Sequence, residues 1–89
     1  MATNPWIDLG GGHRIQVTKD WTSFVEEHRD LRDPSRSCAG SGGIEGGPIA
    51  EPGRSWKLKS REPLTLTPSI QCTVCGNHGF VTDGKWVPA

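Results

Sequence analysis

The sequence predicts a small α+β domain, mainly β, in which a bound zinc ion compensates for a thin hydrophobic core. The chain has 89 residues, of which only 33% are hydrophobic, and it carries 12 glycines and 7 prolines. A chain of this length has room for one core at most and little apolar material to fill it. A Cys-x-x-Cys pair followed by a histidine, at Cys72, Cys75 and His78, offers metal ligands at close spacing.

Charge and hydropathy exclude several classes of protein. Ten basic residues balance ten acidic ones, and this balance argues against a strong non-specific grip on nucleic acid or anionic membranes. The sequence has no run of about 20 apolar residues and no basic start followed by an apolar stretch, as a signal peptide would have. We therefore expect a protein of the reducing cytoplasm with no membrane partner.

Three cysteines favour a metal site over a disulfide framework, because an odd count leaves one unpaired. Cys72, Cys75 and His78 supply three of the four ligands that zinc prefers. Cys38 is the favoured fourth ligand, since a soft thiolate in a polar, glycine-rich segment has no evident core to enter. His28 and His13 remain open alternatives. A closed set of three cysteines and one histidine is typical of one structural Zn²⁺ rather than a catalytic one.

One helix and about five short antiparallel strands are expected. Residues 14–18 alternate polar and apolar side chains, which predicts a strand. An amphipathic helix is predicted from Asp20 to the Asp33-Pro34 step. Its apolar face would hold the positions with helical spacing, which are Trp21, Phe24, Val25 and His28. The remaining strands are expected at 55–60, 64–67, 80–82 and 85–87, with Asp83-Gly84 as a type I′ hairpin turn.

These elements predict a single domain over residues 1–89. Residues 1–13 are expected as an irregular arm, 35–53 as a long glycine-rich loop, and 54–88 as the half that contains the zinc knuckle and the hairpin. Partner contacts are expected at Trp6 and Trp56, since interfaces are rich in aromatic residues, and at Lys57 and Lys59. The two lysines could contact nucleic acid, but the strand period explains them as a solvated face, so this alternative is not favoured.

The carboxyl half resembles a family of small bacterial and bacteriophage proteins of unknown function that are thought to bind metal. The resemblance covers residues 56–87 and is carried by Trp56, by the run 65–70, and by the pattern Cys72-x-x-Cys75-Gly76-x-His78-Gly79-Phe80-Val81-x-Asp83-Gly84-Lys85-Trp86. It implies a compact zinc-binding domain of phage type, acting in the host cytoplasm or, alternatively, in the virion. It brings no established activity.

The function expected from these features is that of a small phage-type zinc-binding module that is not an enzyme. It would act as an interaction or regulatory factor with a protein partner from host or phage. A structural component of the virion is one alternative. A metal-dependent hydrolase with Glu45, Glu51 or Asp83 as general base is another. Ser69 is not interpreted as a nucleophile, because no base paired with it can be identified from the sequence.

Overall fold

A computed structural model describes residues 2–89 as one eight-stranded sheet. Met1, the first residue of the predicted arm, lies outside the described residues. The strands are β1 (Ile7–Gly10), β2 (His13–Val17), β3 (Ser23–Arg29), β4 (Ser37–Ile44), β5 (Ser55–Arg61), β6 (Leu64–Gln71), β7 (His78–Thr82) and β8 (Lys85–Pro88). They lie in sequence order across the sheet, and β1 also contacts β8, so the sheet curls into a nearly closed barrel.

One neighbouring pair of strands differs from the others. β4 and β5 run parallel and are joined only through Gly43 opposite Ser55 and Ile44 opposite Trp56. Every other adjacent pair is antiparallel and follows a hairpin connection. Among the paired strands of the described chain, β4 and β5 therefore share the shortest ladder.

The predicted helix is wrong, and with it the α+β class and the count of about five strands. Between residues 2 and 89 the structure has no helix, and residues 23–29 form β3. Phe24, Glu26 and His28 alternate as buried side chains along this strand. The helical interpretation left Glu26 outside the apolar face, whereas this residue is only 2% exposed and its carboxylate contacts two histidines. Because Glu26 is a charged residue at a buried position, the alternation of buried and exposed residues along this strand is not evident from hydropathy.

Two segments expected to be irregular contain strands. The predicted arm includes β1, and the segment 35–53 includes β4. Gly42 of β4 is required by packing rather than by a turn. A Cβ atom on Gly42 would lie 2.6 Å from the Trp56 ring and 2.7 Å from the Phe24 ring, closer than real contacts allow. Glycine is therefore the residue that lets these rings meet beneath β4.

The two carboxyl-terminal hairpins form where the sequence predicts them, although β6 continues to Gln71, four residues beyond its predicted end. β5 pairs with β6 and β7 with β8, each antiparallel. Asp83 and Gly84 have φ angles of 53° and 74°, the left-handed pair that a type I′ turn requires. The predicted turn is confirmed.

The core is a single cluster inside the barrel. It consists of Leu9, Ile15, Val17, Phe24, Ile44, Leu64, Leu66 and Val81. The part of the chain that the structure describes contains no helix long and apolar enough to cross a membrane.

Replacing Gly79 by alanine should destabilise this fold. An added Cβ would lie 2.5 Å from the Trp86 indole, and β7 pairs with strands on both sides, so neither can move away freely. We expect the free energy of unfolding in urea to fall by about 1–3 kcal/mol. Gly40→Ala is the matched control, because a Cβ there meets nothing within 4 Å. Equal losses in the two variants would contradict this packing.

Candidate active site and metal centre

Three thiols and one imidazole converge at one end of β3 and β4. His28 and Cys38 lie directly opposite each other in the register of these strands, so their side chains share a face. Cys72 and Cys75 follow β6 in a tight turn, in which the Gly76 N–H donates to the Cys72 carbonyl and Gly76 has a φ of 80°. The Sγ atoms and one imidazole nitrogen all lie within 4.8 Å of one another. This group can hold a metal ion.

The pKa values of the group reflect its crowding. Hydrogen bonds lower the pKa of Cys75 to about 6, although burial opposes this. The largest effect comes from the backbone N–H of Leu31, followed by the backbone N–H of Asn77 and the His28 ring. Burial and the neighbouring Cys72 and Cys75 thiols raise the pKa of Cys38 to about 12. Burial works to lower the pKa of His28, but contacts with Cys75 and Glu26 outweigh it and raise the pKa to about 9. These are groups whose protons a cation would displace.

The structure brings together Cys38, Cys72 and Cys75, the cysteines predicted as ligands, with His28 as the accompanying histidine. His78, the histidine predicted from the local motif, is exposed and contacts Ser69 instead. His28 was one of the two alternatives that the sequence left open. The other alternative, His13, does not belong to the group with the cysteines. It belongs to a second group, with Glu26 and His28. Neither group includes Glu45, Glu51 or Asp83, the general bases considered for a metal-dependent hydrolase.

A buried polar network supports the imidazole of this group. The Glu26 carboxylate lies 2.9 Å from Nδ1 of His28 and 3.1 Å from Nδ1 of His13. Nε2 of His13 lies 3.2 Å from the Asn77 amide nitrogen, and its ring stacks on Trp86 with centroids 3.9 Å apart. Burial lowers the pKa of His13 against the opposing effect of Glu26. A carboxylate bonded to the second nitrogen fixes the tautomer and orientation of a ligating histidine.

Glu26→Gln should weaken metal binding without removing it. Glutamine preserves the shape of the side chain but loses the charge behind His28, and such changes lower metal affinity about 10- to 100-fold. Competition with a chromogenic zinc chelator measures the affinity. Glu27→Gln is the control, since the neighbouring Glu27 faces outward and pairs only with Arg14. Equal affinities in the two variants would show that Glu26 does not support the site.

A serine and a histidine meet on the outer face of the adjoining hairpin. Oγ of Ser69 on β6 lies 2.7 Å from Nε2 of His78 on β7. The ladder between these strands shifts register between Leu66 and Ile70, so Ser69 lies in a bulge-like irregularity of the pairing. Bulges re-aim side chains, and this one turns Ser69 toward the first residue of β7.

The Ser69 and His78 pair has the geometry of a nucleophile and its base. A hydroxyl within about 2.6–3.2 Å of an imidazole nitrogen can pass its proton to that nitrogen as it attacks a substrate. Among the described residues, no other serine hydroxyl contacts a histidine ring, and the rings of His13 and His28 are buried against Glu26. The His78 ring lies near Phe80, with centroids 6.5 Å apart, and the His78 carbonyl accepts from the Ala89 N–H.

Sequence reasoning missed this pair because it assigned His78 to the metal. One signal was available. Ser69 and His78 flank the Cys-x-x-Cys turn, and a hairpin across that turn brings them to neighbouring strands.

The residues predicted to contact partners are dispersed. The ring of Trp6 lies under the Arg14 guanidinium at 4.0 Å, and Lys57 and Lys59 are exposed along β5. Trp56 is turned inward, where its ring meets Phe24 edge to face at 5.2 Å. The structure therefore does not gather these four residues into one surface.

Comparison with known proteins assigns the chain to a family. The family model described as BubE, bacterial ubiquitination-like system serine protease, matches residues 13–89. No curated protein and no solved structure matches. The expectation of a bacterial family is confirmed, whereas a phage or virion protein of unknown function is wrong. A family named for a protease also overturns the expectation of a non-enzymatic module, and a system of this kind implies protein partners. The chain belongs to the BubE family of bacterial ubiquitination-like system serine proteases.

Proposed function

We propose that this chain is a serine peptidase in which Ser69 is the nucleophile and His78 the general base. The observation that carries the proposal is the 2.7 Å contact between Ser69 Oγ and His78 Nε2 on an accessible face. The family name supports the choice of serine chemistry. Within residues 2–89 the His78 ring has no other side-chain hydrogen bond, so the proposed machinery is a dyad.

In the proposed reaction, Ser69 Oγ attacks the carbonyl carbon of the scissile amide while His78 Nε2 takes the hydroxyl proton. The tetrahedral intermediate collapses, the C–N bond breaks, and His78 returns the proton to the departing amine. The acyl group is then bonded to Ser69. Water attacks the ester with His78 again as base, which releases the acid and restores the hydroxyl.

The metal ion we propose is one structural Zn²⁺ bound by His28, Cys38, Cys72 and Cys75. Ligands bound to one zinc at about 2.0–2.3 Å lie roughly 3.5–3.8 Å apart. The observed separations within 4.8 Å require only small shifts to reach that geometry. Four protein ligands leave no open position, so the zinc contributes folding energy rather than chemistry. Only Gly76 and Asn77 separate Cys75 from His78, and an anchored turn therefore holds the general base in place.

The substrates we propose are protein components of a bacterial ubiquitination-like system, cleaved at an accessible extended segment. Three cysteines without a disulfide support action in a reducing cytoplasm.

Hydrolysis of a positional library of hexapeptides with fluorogenic carboxyl-terminal amides tests the activity. We expect the zinc-loaded protein to cleave a subset of the library and an alkyl fluorophosphonate to stop this cleavage. Cleavage that survives complete reaction with the fluorophosphonate would overturn the serine mechanism. Failure to cleave any peptide in the library would count against a peptidase of extended segments.

A further inference from the structure

We propose that the substrate binds as an extended strand paired with the free edge of β4, through the backbone of Ala39 and Ser41. This inference rests on the proposed peptidase function and adds where the peptide lies. It arises from a gap in the barrel wall that leads toward the nucleophile.

The gap ends at the short β4–β5 pairing on one side and at the metal group on the other. β4 pairs with β5 only at Gly43 and Ile44, whereas its preceding residues pair with β3 alone in the described chain. β5 pairs with β6 only from Lys57 onward, opposite Thr67. The stretches 39–42 of β4 and 68–71 of β6 thus face each other without a strand between them. Cys38 and Cys72 lie at the end of the gap next to the metal group.

The hydrogen-bond pattern shows which backbone groups face the gap. The Ile44 N–H donates to Thr22, on the β3 side, and the Glu45 N–H donates to Trp56, on the β5 side. Because these directions alternate along a strand, the N–H and C=O of Ala39 and Ser41 turn toward the gap. On the opposite wall, the Cys72 N–H donates to Asn77, which turns the backbone of Gln71 away from β7 and into the same gap.

Open space follows this edge beside the segment of β6 that contains the nucleophile. A cavity of about 150 Å³ lies between Ala39 and Ser41 on one wall and Ile70 and Cys72 on the other. A second groove, of about 530 Å³, shares Ser41 and Trp56 with this cavity and is bordered by Pro68. Pro68 immediately precedes Ser69. A peptide laid along the edge of β4 would lie between residues 39–42 and the segment 68–71, which contains the proposed nucleophile.

An extended peptide is the occupant that this gap fits. The edge of β4 presents a row of backbone N–H and C=O groups that no strand pairs, and an added strand supplies partners for them at its own period of two. The small side chains of the β4 wall allow another backbone to approach closely. Trp56, which lines both cavities, offers a further hydrogen-bond donor to a ligand, since its buried Nε1 atom has no hydrogen-bond partner in the described chain.

Labelling rates test the pairing without any need for a natural substrate. A tetra-alanyl diphenyl phosphonate and a simple alkyl fluorophosphonate both report reaction at Ser69, but only the first can pair with β4. Ser41→Pro removes one N–H on the gap side and leaves the ladder to β3 intact, a placement that edge strands tolerate. We expect Ser41→Pro to slow the peptidyl reagent by about tenfold, the equivalent of one hydrogen bond. The fluorophosphonate rate should be unchanged, and Ser41→Ala should match the unmodified protein.

An N-methyl scan of the peptidyl reagent gives a second measurement that does not depend on a folded variant. We expect methylation to slow labelling at alternate residues, with a period of two. Uniform effects along the peptide, or an unchanged rate for well-folded Ser41→Pro, would overturn the strand pairing while leaving the peptidase intact. If neither reagent modifies Ser69, the proposed function fails, and this inference fails with it.

Discussion

Ser69→Ala is expected to lower kcat for peptide hydrolysis by roughly 10⁴-fold or more, the loss that follows removal of a serine nucleophile. Alanine removes the one atom that bonds to the substrate and leaves the β6 backbone unchanged. The measurement is the hydrolysis of the best fluorogenic peptide by protein with full zinc content. Ser60→Ala is the control, because Ser60 is a half-buried serine on the neighbouring strand with no histidine contact.

His78→Gln should lower kcat by a comparable factor, and the double variant should be little worse than either single one. A nucleophile and its base act as a unit, so their effects do not multiply. Losses that multiply would show that the two residues act independently. Substantial hydrolysis by Ser69→Ala would remove Ser69 from the mechanism.

Cys72→Ser is expected to abolish both zinc binding and cooperative unfolding. Structural zinc contributes about 10–16 kcal/mol in small domains, which is as large as the stability of most whole proteins. The apolar core here comprises only eight buried side chains, so it is not expected to hold the barrel closed alone. Bound zinc per chain and thermal unfolding measure the two effects, and Cys75→Ser should behave in the same way.

His78→Gln provides the contrast for this prediction as well. This variant should keep one zinc ion per chain and unfold as the unmodified protein does, because His78 lies outside the metal group. Zinc retained by folded Cys72→Ser, or lost by His78→Gln, would contradict the assignment of ligands.

Local patterns in the sequence were sufficient to predict the carboxyl half of the fold. The Asp83-Gly84 turn and the alternation along β5 and the first half of β6 depend on neighbours in the chain, and these lie where predicted. The continuation of β6 from Pro68 to Gln71 was not predicted. The convergence of Cys72 and Cys75 is likewise local. Cys38 was predicted to join them by elimination, since a lone thiol in a polar segment needed a partner.

The histidine of the metal group could not be read from local spacing. His78 is near Cys75 in the chain, but β7 turns its side chain outward. His28 arrives from a distant strand because the register of β3 sets it opposite Cys38. This strand register could not be predicted because residues 20–33 were interpreted as a helix. The error came from Glu26, whose burial is made possible by two histidines rather than by any feature of its own neighbourhood.

Ser69 escaped prediction for a related reason. A nucleophile is recognised by its base, and the only nearby histidine had been assigned to zinc. If His28 is the histidine of the metal group, His78 is not needed as a ligand and can be the base proposed for Ser69. In the proposed function, the assignment of His28 to the metal group and that of His78 to Ser69 therefore depend on each other.

Peptide mapping by mass spectrometry, after reaction of the zinc-loaded protein with an alkyl fluorophosphonate, tests the proposed dyad most directly. We predict a single phosphonyl adduct on Ser69, formed at a rate that falls sharply in His78→Gln. An adduct on any other serine, or labelling of Ser69 at an unchanged rate without His78, would contradict the assignment of nucleophile and base.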